Sequence, residues 1–135
     1  MDYPIFATAF IVQFVGHRLG DFFLQTGWQA MNKAANGLAR FRHCVVYAGS
    51  ISFLLVIIED WGTCSIVFGL TFVEHMVIDS RKPIISWIML LERRISNNKA
   101  FTVKQIPSFL MLEIDQTVHI VRIFILSILI AYNVI

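Results

Sequence analysis

Residues 61–82 read WGTCSIVFGLTFVEHMVIDSRK. From Trp61 to about Asp79 the stretch is apolar nearly all round, where a helix in the core of a soluble protein would keep a polar face. Its length suits the hydrocarbon core of a bilayer, which takes about 20 helical residues. Polar groups gather at its far end: Glu74, His75 and Asp79 close the block, and Arg81 and Lys82 come directly after. Three more blocks of the same kind lie to either side, at about 4–24, 43–58 and 108–132. With 57% apolar and 15% charged residues among 135, and a mean hydropathy of +0.70, the composition excludes a protein whose only solvent is water. The predicted fold is all-α, a single domain over residues 1–135 built as a polytopic bundle of about four transmembrane helices. No repeat with a period of about 20–50 residues is present, which removes solenoid folds.

Charge predicts the orientation. Nine of the eleven Lys and Arg residues fall in two connecting segments. Lys33, Arg40 and Arg42 lie between the first two blocks, and Arg81, Lys82, Arg93, Arg94, Lys99 and Lys104 between the last two. Asp2, Glu59 and Asp60 mark the other side. The excess of Lys and Arg on cytoplasmic loops predicts a bacterial inner-membrane protein with both termini outside and the two basic loops in the cytoplasm. The chain opens on Met1 and Asp2 without the basic segment of a cleaved signal, so the first helix is expected to stay. Residues 83–91 are apolar but too short to span, which predicts an interfacial or re-entrant helix over about 83–92 with Trp87 at headgroup depth. Cys44 and Cys64 fall at opposite ends of neighbouring blocks, roughly 20 Å apart at about 1.5 Å per residue, too far for a disulfide.

The polar residues inside the blocks are not scattered. His17, Asp21 and Gln25 lie near the inner end of the first block, and His43 opens the second. Glu74, His75 and Asp79 end the third; Glu113, Asp115, Gln116 and His119 begin the fourth. All map to the cytoplasmic side. His17 and Asp21, His75 and Asp79, and Asp115 and His119 are each four apart, which puts the two side chains of each pair on one helix face. A single His/Asp pair at this spacing ordinarily does no more than close a helix end. Here all four histidines of the chain converge with three aspartates, a donor set suited to Zn²⁺, Mn²⁺ or iron and larger than one zinc needs. The expected metal ligands are His17, Asp21, His43, His75, Asp79, Asp115 and His119, for two metals or for one metal plus a base. A proton or ion relay and a purely structural polar network are the alternatives.

Further residues play smaller parts in this reading. Glu74 and Asp79 are candidate general bases, and Lys82 a candidate for holding an anionic group. Gln25, Lys33 and Gln116 support the cluster, and Arg122, seven residues after Asp115 on the same face, neutralises it or meets a phosphate. Basic inner loops are common in membrane proteins, so Lys33, Lys82, Arg93 and Arg94 also serve as topology determinants.

The segments HRLGDFFLQTGW (17–28), with Asn32, Lys33 and His43 beyond it, EHMVIDSRK (74–82) and DQTVH (115–119) resemble a family of small bacterial and phage membrane proteins known as domain of unknown function 3307. The resemblance covers nearly the whole chain. It implies that His17, Asp21, Gln25, Lys33, His43, His75, Asp79, Lys82, Asp115, Gln116 and His119 are motif positions of one site, and it implies no reaction.

The residues are compatible with three functions. The first is a metal-dependent hydrolase acting on a phosphate-containing or lipid substrate at the cytoplasmic leaflet, with the metal activating water and a carboxylate taking its proton. The second is a channel, transporter or ligand-gated membrane effector in which histidines bind a cation or relay protons. The third is an assembly subunit whose polar cluster fixes helix register. The expected partners are the bilayer itself, an anionic lipid or phosphate-containing ligand, and further copies of the chain; binding to nucleic-acid duplexes is not expected.

Overall fold

Six α-helices and no strands make up the chain in the computed structural model, which describes residues 1–135. They are α1 (Tyr3–Arg18), α2 (Gly27–Asn32), α3 (Gly37–Leu55), α4 (Trp61–Ile78), α5 (Lys82–Leu90) and α6 (Ser108–Ala131). Local chemistry sets their starts. The Asp2 carboxylate accepts from Ile5 N–H at 3.1 Å at the head of α1. Asn36 accepts from Leu38 and Ala39 N–H ahead of α3, and Asp60 caps α4 through Gly62 and Thr63 N–H. Each supplies an acceptor to N–H groups that the first helical turn leaves free.

α1, α3, α4 and α6 form the bundle. Asp2 N–H donates to Ala131 O at 3.0 Å, so the start of α1 and the end of α6 meet at one end. The short α3–α4 connection lies at that same end. α1 and α3 approach closely because Gly16 and Gly20 face Ile51 and Tyr47: a Cβ would stand 2.7 Å from Ile51 Cα and 2.8 Å from Tyr47 Cα. This is the small-xxx-small spacing that lets two helix backbones touch. The core towards the termini is apolar, built on Ile51, Leu55, Val67, Leu126 and Ile130. α5 packs Ile84 and Ile88 against Ile106 in a smaller cluster beside the opposite end and leaves Trp87 exposed.

Two helices, α4 and α6, are long and apolar enough to cross a membrane. α1 is shorter as an α-helix because a π-helical turn takes over at Leu19–Phe23, and α3 begins in a polar segment carrying Arg40 and Arg42. His43 therefore does not open its helix, as the hydropathy suggested, but lies almost two turns inside it. The polarity of the bundle is inverted. All four histidines, Asp21, Asp79, Gln13 and Thr71 are buried, whereas Phe53, Ile57, Trp61, Val73 and Phe109 are each more than 60% exposed.

Candidate metal centre

The π turn after α1 carries Asp21 inward, its extra residue closed by the 2.8 Å bond from Leu24 N–H to Leu19 O. π turns of this kind gather at functional sites. Asp21 Oδ1 stands 3.1 Å from His43 Nε2 of α3 and 3.9 Å from His75 Nε2 of α4. The two imidazole nitrogens are 3.0 Å apart. Asp79, at the end of α4, closes on the same pair with Oδ2 at 3.4 Å from His43 and 3.3 Å from His75. Ligands about 2.0–2.1 Å from a tetrahedral zinc stand about 3.3 Å from one another, so two nitrogens flanked by two carboxylates have the separations of one coordination sphere. Both Nδ1 atoms lack partners; the ring nitrogens in use all point at the same place.

Lys33 caps this group from the end of α2. Its Nζ lies 3.0 Å from Asp21 Oδ1, 3.1 Å from Asp79 Oδ2 and 3.1 Å from His43 Nε2. Burial pulls the Lys33 ammonium towards neutrality, but Asp79 and Asp21 outweigh that pull and hold its pKa above the ordinary lysine value. The ammonium is the cation that keeps two buried carboxylates together, since an unpaired buried charge costs about 3–5 kcal/mol.

A hydrogen-bonded chain fixes Asp21 from behind. Arg122 Nη2 donates to Tyr47 Oη at 2.7 Å, and Tyr47 Oη lies 2.9 Å from His17 Nδ1. His17 Nε2 lies 3.1 Å from Gln116 Oε1, and Gln116 Nε2 donates to Asp21 Oδ2 at 2.7 Å. Because Oε1 accepts only, the network assigns the His17 proton to Nε2, leaving Nδ1 to accept from the tyrosine. His17 thus reaches Asp21 through Gln116 and not directly across the helix turn. The extra residue of the π turn rotates the aspartate away from the i, i+4 position. The Tyr47 ring stacks on His75 with centroids 3.7 Å apart, which locks the imidazole plane.

A second branch runs along α6. His119 Nδ1 is bracketed by the Glu74 carboxylate at 3.0 and 3.3 Å, and its Nε2 is 3.6 Å from Asp115 Oδ1. Arg122 lies 3.6 Å from Glu74 and donates to Thr71 Oγ1 at 3.0 Å. Four groups of donor atoms lie mutually within 4.8 Å: Asp21, His43 and His75; Cys44, His75 and Asp79; Glu74, His75 and His119; and Asp79, Asp115 and His119. These buried groupings could hold a metal ion. Both cysteines are free, as their separation suggested.

Of the residues singled out in the sequence, Asp21, His43, His75, Asp79, Asp115 and His119 are donors in these groups, while His17 has both ring nitrogens in the chain just described. Glu74 orients His119, and Gln25 donates to Asp21 O at 2.7 Å. Lys82 is exposed at the head of α5. Its neighbour Arg81, in the left-handed region at φ 60°, lines the cavity of about 180 Å³ beside the cluster together with Asp21, Lys33, Asp79, Asp115 and Gln116. Tyr47, Cys44 and the cavity role of Arg81 did not stand out in the sequence. Tyr47 and Cys44 carried a usable signal, lying four residues and one residue after His43.

The donors all fall within the stretch of chain that one family model matches. The chain belongs to the family described as Protein of unknown function (DUF3307), whose model matches residues 9–135. That span takes in every donor of the four groups. No curated protein and no solved structure matches the chain.

Proposed function

We propose that this member of the family is a four-span inner-membrane protein, with termini outside and basic loops in the cytoplasm. In this reading it binds a divalent metal between Asp21, His43, His75 and Asp79 and hydrolyses a phosphate-containing or lipid ester at the cytoplasmic leaflet. The observation that carries this reading is the 3.0 Å approach of two buried imidazole nitrogens, each flanked by carboxylate oxygens. The inverted polarity of the bundle supports the bilayer, because large apolar side chains face outward where lipid would solvate them. α1 with its π turn reaches Phe23, and α3 offers the length of a span.

Zn²⁺, Mn²⁺ or Fe²⁺ at these donors supplies the Lewis acid that makes water nucleophilic near neutral pH. Asp79, which lines the cavity, would hold the metal through Oδ2, the oxygen facing His43 and His75, and accept the proton of the attacking water at Oδ1. The water oxygen would bond to the phosphorus or acyl carbon while the ester oxygen leaves with the bonding pair and takes the proton held by Asp79, giving an acid and an alcohol. Lys33 and Arg81 line the same cavity and pair with the anionic part of the substrate.

One observation favours the second reading, a proton or ion path: the continuous chain from Arg122 through Tyr47, His17 and Gln116 to Asp21. Towards the termini, however, the Gln13–Ser127 bond is the main polar link and the remaining core is apolar, so a path across the membrane needs an oligomer.

Elemental analysis and turnover of the detergent-purified chain separate these readings. Wild type is expected to hold at least one equivalent of metal and to cleave an aryl phosphodiester or phospholipid vesicles, and His75→Ala to lose both. Metal-free wild type that conducts protons in liposomes would sink the hydrolase reading.

A further inference from the structure

We propose a second divalent-cation site, formed by Asp115 and His119 of α6 with Asp79 as the carboxylate shared with the first site; this rests on the metal reading above. The donor atoms of these three residues lie within 4.8 Å of one another. His119 is completely buried, and its two nitrogens have different surroundings. Nδ1 faces both oxygens of Glu74 at 3.0 and 3.3 Å, which assigns it a proton. In the neutral ring, the form that binds a metal, that leaves a lone pair on Nε2, and Nε2 has no hydrogen-bond partner. It stands 3.6 Å from Asp115 Oδ1, beyond a good hydrogen bond and close to the spacing of two ligands on one ion. A carboxylate bonded to the far nitrogen of a histidine is the usual way of orienting and strengthening a metal-binding imidazole.

Charge points the same way. Asp21 and Asp79 share Lys33, and Glu74 faces Arg122, but Asp115 makes no ion pair with any Lys or Arg. Asp115 and Asp79 both line the cavity that Lys33 and Arg81 enter, so an ion here is reached from that space. It would keep coordination positions open to water or a substrate anion. Two carboxylates and one imidazole form a harder set than that of the first site, one that suits Mn²⁺. The arrangement assigns Asp79 as a bridge between two cations, the pattern by which paired metals grip both the attacking and leaving oxygens of a phosphoryl group.

The test is titration of the full-length, metal-stripped chain with Mn²⁺ alone, read by bound metal and by electron paramagnetic resonance. Two equivalents and a spectrum broadened by coupled Mn²⁺ ions are expected. Asp115→Asn, which keeps the shape of the side chain, should bind one equivalent and show the resolved lines of an isolated ion. Glu74→Gln should weaken only the second equivalent, by about 10–100-fold. One equivalent in wild type that Asp115→Asn leaves unchanged would overturn the second site and preserve the first. No bound metal at all would overturn both, leaving His119 as an imidazolium held between Glu74 and Asp115.

Discussion

The two ends of the bundle are made from the same four helices and solve opposite problems. Towards the termini, Ile51, Leu55, Val67, Leu126 and Ile130 fill the interior, and Gln13 donates to Ser127. At the other end the interior holds four histidines, Asp21, Asp79 and Lys33, several with ring nitrogens or oxygens that find no hydrogen-bond partner. Dispersion and close packing stabilise the first end; the second is held by charge pairing that leaves acceptors aimed at one another. The difference teaches that each half is held by its own contacts, packing in the apolar one and charge pairing around Lys33 in the polar one.

The sharpest way to break this division is to weaken each end separately. Leu55→Ala, a large-to-small change in the apolar half, should cost about 2–5 kcal/mol of stability and leave metal content unchanged. Thermal unfolding beside elemental analysis reads both, and a loss of metal would show that the halves are not independent. Gly20→Ala lies on the boundary. The added methyl meets Tyr47 Cα at 2.8 Å, so α1 must shift from α3, costing about 1–3 kcal/mol and moving both Asp21 and Tyr47. It should therefore lower stability and metal affinity together, as seen by thermal unfolding and calorimetric titration. Unchanged affinity would mean that the close approach only builds the fold. Lys33→Met gives the least intuitive change. Removing the tethered ammonium takes away a competitor for Asp21 and Asp79, so divalent-metal affinity should rise about tenfold, or about 1.4 kcal/mol, while the metal-free protein becomes less stable. Weaker binding would make Lys33 a supporter of the metal and not its rival.

Much of this was legible in the chain. The apolar blocks at 61–79 and 108–132 correspond closely to α4 and α6, because their boundaries are marked by Asp60 and Pro107 as well as by hydropathy. The convergence of the histidines was legible too, since each lies on the same side of its block. α3 begins at Gly37, six residues before its hydropathy does, because helix formation follows the Asn36 cap while hydropathy follows the apolar run. The spacing of His17 and Asp21 suggested a direct pair. The π turn breaks it, and nothing in LGDFF announces an extra residue per turn. Tyr47 was hidden by its kind: a tyrosine in an apolar block looks like packing until its hydroxyl is seen between Arg122 and His17.

The π turn at Leu19–Phe23 leaves the cluster dependent on a residue count. Deleting one residue there would restore an ordinary helix and swing the downstream backbone by about 100°, turning the aspartate out of reach without changing any ligand. A chain one residue shorter at this place would keep all four histidines and lose the aspartate beside them, so the length of this segment matters to the cluster as much as its composition.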